Sequence, residues 1–189
     1  MSRDALGWRC KFAVVAPSTN TIVQPDMDSL RVKGVTNHYG RIHIPNMKVG
    51  NDEEFVAMVE AIGATLYDAK RIAVISPYFP VSDKNVTQFF EDCGFEVRKF
   101  RGLKCGSPVA IAHVQPEDLR AHVLEMNDDS IDAFVQVGTN LSMIDLCNEM
   151  SIEIGKPMIP INAATYWHAL RAMGIKDKFD GHGPLFRDH

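Results

Sequence analysis

An α/β fold built on parallel strands is what this sequence predicts, and three observations predict it. Short apolar, β-rich runs open directly into small hydroxyl and amide residues: residues 12–20 read FAVVAPSTN, and residues 134–140 echo them as FVQVGTN. The runs are nearly continuous in apolar residues, as strands covered on both faces must be. Between them, apolar residues recur at three- and four-residue steps, the stripe of a helix packed on a sheet.

The elements follow in order. Residues 11–16 (KFAVVA) read as a buried first strand, and Pro17, Ser18 and Thr19 form a turn before a helix that begins near Thr21. Residues 36–45 (TNHYGRIHIP) alternate roughly, with Gly40 interrupting, and form a second extended stretch. Over residues 52–66, Phe55, Val56, Val59, Ile62 and Leu66 make a helical stripe with acidic residues in its first turn. Residues 71–76 (RIAVIS) are a second parallel strand that stops at Pro77-Tyr78. A helix over 81–93, a strand over 96–100, a loop over 101–108 and a helix from about Pro116 follow, proline being suited to a first helical turn where its missing N–H is not needed. Strand 133–137, helix 143–154, strand 157–161 and a helix over 163–173 ending at Gly174 complete the alternation.

Composition narrows the function. The 189 residues are 46% hydrophobic, enough for one large domain or two small lobes. Twenty basic against 24 acidic side chains leave a net charge of -4, with no broad positive field for a phosphate backbone, so nucleic acid is not an expected partner. Cys10, Cys93, Cys105 and Cys147 have no CxxC spacing, and the start MSRDALGWRC lacks the apolar stretch of a secretory signal, which points to a reducing cytoplasm. The apolar runs are strand-sized, so no membrane span is expected. His38, His43, His113, His122 and His168 repeat no metal-ligand spacing, and GxGxxG and P-loop motifs are absent, so neither metal nor cofactor is expected.

The polar strand ends are the candidate site. Ser18, Thr19 and Asn20 lie where the chain leaves the first strand, and Thr139 and Asn140 occupy the same place after strand 133–137. Their hydroxyls, amides and backbone N–H groups could converge on an oxygen-bearing ligand, or serve as helix caps worth about 1 kcal/mol each. Tyr78 follows its strand through a proline and could aim its phenol at a carboxylate or enolate oxygen, or pack as an aromatic lid on Phe79 and Phe95. Asn162 is a third corner residue, equally suited to capping the last helix. Cys105, in the Gly-rich loop 102–107 with Lys104 beside it to favour the thiolate, is the one cysteine placed for chemistry.

These elements together resemble the maleate cis-trans isomerase and arylmalonate decarboxylase branch of the aspartate/glutamate racemase superfamily. The resemblance rests on Ala16-Pro17-Ser18-Thr19-Asn20, on Ser76-Pro77-Tyr78 with Gly94-Phe95-Glu96-Val97, on Gly138-Thr139-Asn140-Leu141, and on Gly155-Lys156-Pro157 through residues 162–171 (NAATYWHALR). It implies two flavodoxin-like lobes of parallel sheet related by a pseudo-two-fold axis, with a small acid bound between them and no cofactor. It also implies that Asn20 binds a carboxylate, that Tyr78 is the site tyrosine and that Thr139 and Asn140 form the second anion corner. Where the family carries a cysteine before the second corner, this chain has Gly138. The segment with the other cysteine is absent, because the helix ending near Leu66 runs almost at once into strand 71–76, and Ser107 and Pro108 stand where the isomerases place an asparagine. The first lobe is therefore expected to be truncated, comprising residues 1–75 with 163–189, and residues 76–162 form the second.

The expected activity is that of a cofactor-independent isomerase or carboxy-lyase acting on a small mono- or dicarboxylic acid. The alternative is a non-catalytic acid-binding or structural paralogue. Without the two family cysteines, proton transfer falls to Cys105 or Tyr78. A lost strand-helix segment also exposes sheet edge or apolar surface, so a homo-oligomer is expected.

Overall fold

The computed structural model describes residues 4–43 and 69–189. The helix expected over residues 52–66, the end of the second extended stretch and the short connection after Leu66 lie outside the described residues.

Two parallel sheets form the α/β fold. In the first, β1 (Cys10–Pro17) pairs with β2 (Val35–Ile42) in a register that sets Cys10 opposite Val35 and Pro17 opposite Ile42. Helix α1 (Val23–Ser29) connects them. The second sheet has the order β4-β3-β5-β6, made of β3 (Arg71–Ser76), β4 (Glu96–Gly102), β5 (Ala133–Gln136) and β6 (Met158–Pro160), every pair parallel. Around it lie α2 (Pro80–Asp92), the single turn α3 (Pro108–Ile111), α4 (Pro116–Met126), α5 (Ile144–Ile154), α6 (Ile161–Ala172) and α7 (Pro184–Asp188). Part of the expected loop 101–108 is strand instead, because β4 continues its pairing to Gly102.

The unbroken apolar run of β3 is explained by burial on both faces. Ile72 and Val74 join Val86 and Phe90 of α2, while Ala73 and Ile75 join Leu119 and Val123 of α4 and Met150 of α5. Strand β1 alternates instead: Phe12, Val14 and Ala16 face a separate cluster with Val23 and Met27 of α1, and Lys11, Ala13 and Val15 are exposed. Helix α6 belongs to both cores, sending Ile161 and Ala164 to the second sheet and Ala163, Tyr166 and Leu170 to the first. That wide apolar stripe makes α6 the joint of the molecule, and α6 packs directly on α1. Strand β3 is bonded to β4 and β5 along its length, so a division at residue 75 cuts a strand that belongs wholly to the second sheet.

Candidate functional site

Both polar corners form where parallel strands end, and they are bonded to each other. After β1 the chain turns through Pro17, whose carbonyl accepts from the Asn20 N–H at 3.1 Å. The Asn20 carboxamide oxygen then accepts from the N–H groups of Ile22 at 3.1 Å and Val23 at 2.9 Å, capping α1, while its Nδ2 donates to Thr139 Oγ1 at 2.9 Å. After β5 the chain turns at Gly138, whose carbonyl accepts from the Leu141 N–H at 3.1 Å. Asn140 reaches back across: its Oδ1 accepts from Thr21 N–H at 2.9 Å and Ile22 N–H at 3.2 Å, and its Nδ2 donates to the carbonyls of Thr19 at 3.3 Å and Pro108 at 2.8 Å. Each asparagine thus donates to the threonine of the opposite corner, which is the physical content of the sequence echo.

Most of the hydrogen-bonding capacity of the two amides goes into this exchange. Asn20 and Asn140 are each only 6% exposed, and every donor and acceptor of the Asn140 carboxamide is engaged within the protein. Asn20 Oδ1 thus sits on the N–H groups that open α1, while Asn140 bonds the segment ahead of that helix rather than a helix start of its own. Thr19 is half-buried and Ser18 is exposed, its N–H donating to the Ile42 carbonyl at 2.8 Å.

Tyr78 and Cys105 are brought together by the continuation of β3 and β4 beyond their ends. The N–H groups of Leu103, Lys104 and Cys105 donate to the carbonyls of Ser76, Tyr78 and Pro77 at 2.8, 3.1 and 2.9 Å, strapping the cysteine loop onto the tyrosine segment. Together they line a cleft of about 550 Å3 with Phe79, Val81, Ser107 and Ile111. Asn20 and Thr139 line a second cavity of about 280 Å3, under β1 and beside Thr165 and Tyr166. The six residues expected around one pocket are thus divided, and Asn140 spans the division through its bond to Pro108, which lines the first cleft.

Gly138 links the corner to Tyr78. Its φ is +94°, and a Cβ built on it would stand 2.5 and 2.7 Å from Pro77 Cγ and Cδ and 3.6 Å from the Tyr78 phenolic oxygen. A cysteine thus cannot be seated there on this backbone, and the phenol stands next to the place its side chain would take.

The expectation that Lys104 favours a Cys105 thiolate is overturned. Burial pushes the Cys105 thiol above its ordinary value, and the Lys104 charge acts instead on Asp83, opposing the upward push of burial on that carboxyl. Lys104 has φ +56°, in the left-handed region of the backbone. Cys147 is fully buried and its thiol is raised further; Cys10 and Cys93 do not line the cleft.

Two residues matter more than their sequence positions suggest. Asn162, 1% exposed at the start of α6, donates from Nδ2 to Asp26 Oδ2 at 2.7 Å and to the Thr139 carbonyl at 3.0 Å. Asp26, in the first turn of α1, reads in sequence as an ordinary first-turn acid, and only the packing of α1 on α6 half-buries it within one amide of the corner. Among the described residues, no group of three or more His, Cys, Asp or Glu is placed to hold a metal ion, and no helix is long and apolar enough to cross a membrane.

Residues 46–186 match the arylmalonate decarboxylase family. The chain is 28% identical over 190 residues to the maleate isomerase of Pseudomonas putida, covering 96% of this chain and 69% of that protein. In structure it is similar to the maleate cis-trans isomerase of Nocardia farcinica solved with a covalently bound succinylcysteine intermediate, with a TM-score of 0.85 at 17% identity over 95% of this chain and 98% of that one. It is also similar to a crystal structure of arylmalonate decarboxylase, with a TM-score of 0.63 at 21% identity over 82% of this chain and 62% of that one. With its crossed strand-end corners and paired parallel sheets, this chain belongs to the arylmalonate decarboxylase family, in the branch of the Asp/Glu racemase superfamily that also holds the maleate isomerases.

Proposed function

We propose that the protein is a cofactor-independent enzyme acting on a small carboxylic acid, and that its reaction is the decarboxylation of a malonate-type acid rather than isomerisation through a cysteine adduct. The observation that carries this reading is the seat at Gly138: no thiol is there, the Pro77 ring closes the space to one, and the Tyr78 phenol adjoins it. An isomerase of the covalent kind needs a group to attack the double bond, and glycine has none. Decarboxylation needs only an environment that favours the electron-rich transition state.

The steps balance with residues present. One carboxylate of R–CH(COO⁻)₂ is held by backbone N–H and hydroxyl groups at the corners, and the other faces the cleft of Phe79, Val81 and Ile111, where loss of solvent disfavours its charge. The C–C bond breaks, CO₂ leaves, and the electron pair passes into the remaining carboxylate as an enediolate to which Tyr78 donates a hydrogen bond. Cys105, kept as S–H by burial, gives its proton to carbon and recovers one from water. An apolar cleft favours an acid with an apolar substituent.

A second reading has a specific observation behind it. The asparagine amides are bonded largely within the protein, to the segment that opens α1 and to the threonine of the opposite corner, which suits a scaffold that binds an acid weakly or not at all. Phenylmalonate and maleate, followed for CO₂ and fumarate against a heat-killed control, separate the two. The expected result is CO₂ from phenylmalonate and no fumarate from maleate, with Cys105→Ser abolishing turnover while calorimetry still registers malonate. Malonate binding without turnover of either acid would establish the binding protein instead.

We also propose a homo-oligomer in a reducing cytoplasm. All four cysteines are free thiols, and Val15 on β1 and Ile42 on β2 are 65% and 55% exposed, an apolar edge that a subunit contact would cover. Light scattering is expected to give a multiple of the chain mass at every concentration tested, and a clean monomer across the range would refute the oligomer.

A further inference from the structure

We propose that Asp26 and Asn162 are a positioning pair that holds the Thr139 corner from behind and makes acid binding there sensitive to pH. The inference rests on the carboxylate-binding reading above, and its test separates the two. Asn162 Nδ2 has its two hydrogens on Asp26 Oδ2 at 2.7 Å and on the Thr139 carbonyl at 3.0 Å, so one amide ties the acid to the corner. Thr139 in turn accepts from Asn20 through Oγ1 at 2.9 Å. The same geometry leaves Asn162 Oδ1 buried without a partner, a cost that both acceptors impose by requiring the NH₂ between them. A buried polar group left unsatisfied is retained where the bonds it makes on its other side serve a purpose.

The charge of Asp26 is poorly compensated. From α5 it faces Asp145, a like charge, and Cys147, whose thiol its own charge helps to raise. From α6 it meets the uncharged Asn162. The charged and titratable groups that β2 brings to α1 are engaged elsewhere: Arg41 donates to Gln24 Oε1 and the Asn20 carbonyl, and Tyr39 donates to the Gln24 carbonyl and Asp28. On α1 itself, Asp28 is exposed and accepts from Asn37. Burial therefore pushes the Asp26 carboxyl up to about 6, the Asn162 bond opposing and Asp145 adding to the shift. Above that pH a carboxylate lies one amide away from the corner that receives an anion, and below it the charge is gone.

Calorimetry with malonate at pH 5 and pH 7.5 reads this. The ligand ionises identically for both proteins, so the ratio of wild-type Kd to that of Asp26→Asn isolates Asp26. The ratio is expected to rise about tenfold between the two pH values, the size of a single unscreened charge within about 10 Å. Asn162→Ala is expected to weaken malonate about tenfold at both pH values, because Thr139 loses its anchor. Asp145→Asn, outside the bonded set, is expected to move the midpoint of the pH dependence downward. A ratio that stays flat with pH overturns the proposal. Should malonate bind no variant, the carboxylate reading fails and thermal unfolding judges the pair alone. A carboxyl raised above its unfolded value near 3.8 stabilises the fold at pH 4 and loses that stabilisation as pH rises through about 6. The Tm of Asp26→Asn is then expected to exceed that of wild type by a margin that widens from pH 4 to pH 7.5, and a constant margin overturns the pairing.

Discussion

Tyr78→Phe is expected to lower turnover of phenylmalonate about 100- to 1,000-fold while leaving the fold and malonate affinity nearly intact, the scale of losing one preorganised donor to a developing oxyanion. The ring packs against the second-sheet core, and phenylalanine keeps that packing, so the change removes one phenolic O–H. The negative charge that O–H is proposed to meet exists only once the C–C bond has begun to break, so the loss belongs in kcat and not in KM. Steady-state kinetics separates the two. An equal fall in affinity and turnover would mean that Tyr78 merely holds the ground state, and wild-type kcat in the variant would leave Cys105 as the only group of the cleft in the chemistry.

Gly138→Cys is expected to destabilise the protein by about 2–5 kcal/mol and to bring no isomerase activity. Two costs add. A side chain at φ +94° sits in the left-handed region, at about 1–2 kcal/mol, and a Cβ 2.5 Å from Pro77 Cγ overpacks the turn for about 1–3 kcal/mol more. Gly94 supplies the comparison. Its φ is +89° and nothing lies within 4 Å of its Cβ position, so Gly94→Ala carries the conformational cost alone. Urea unfolding of Gly138→Ala and Gly94→Ala is expected to differ by the Pro77 contact, and Pro77→Ala combined with Gly138→Ala should recover part of that difference. Equal losses at the two glycines would mean that Pro77 yields freely and that the seat beside Tyr78 is open.

The strands show how far the pattern of residues carried. RIAVIS and the run ending at Gln136 announced themselves because a strand covered on both faces has no polar side to interrupt it. The length of β4 was less legible: Arg101 and Gly102 read as loop, yet the neighbouring β3 supplies partners that keep them extended. Likewise β6 is shorter than its apolar run, since Pro160 and Ile161 pass directly into α6 and the run's apolar character serves a helix start as well as a strand.

The corner motifs were visible as a pair, and their residue types told that polar groups would meet at the strand ends. Their bonding was not visible. Asn20 and Asn140 are separated by most of the chain, and only the docking of α1 beside the end of β5 decides that each donates to the other corner. The same holds for the cysteine loop, where a neighbouring lysine in sequence suggested an activated thiolate but its charge acts on Asp83 and burial raises the thiol.

By itself, then, the sequence determined the local periodicities, the family and the polar character of the strand ends, because these depend on residue type and short spacing. Tertiary structure alone decided that Pro77 fills the place of a side chain at 138, that Tyr78 stands beside it and that Asn162 joins the half-buried Asp26 to Thr139. Those facts are distances between residues far apart in the chain: the pairing of β3 with β5 sets the first two, and the packing of α1 on α6 sets the third.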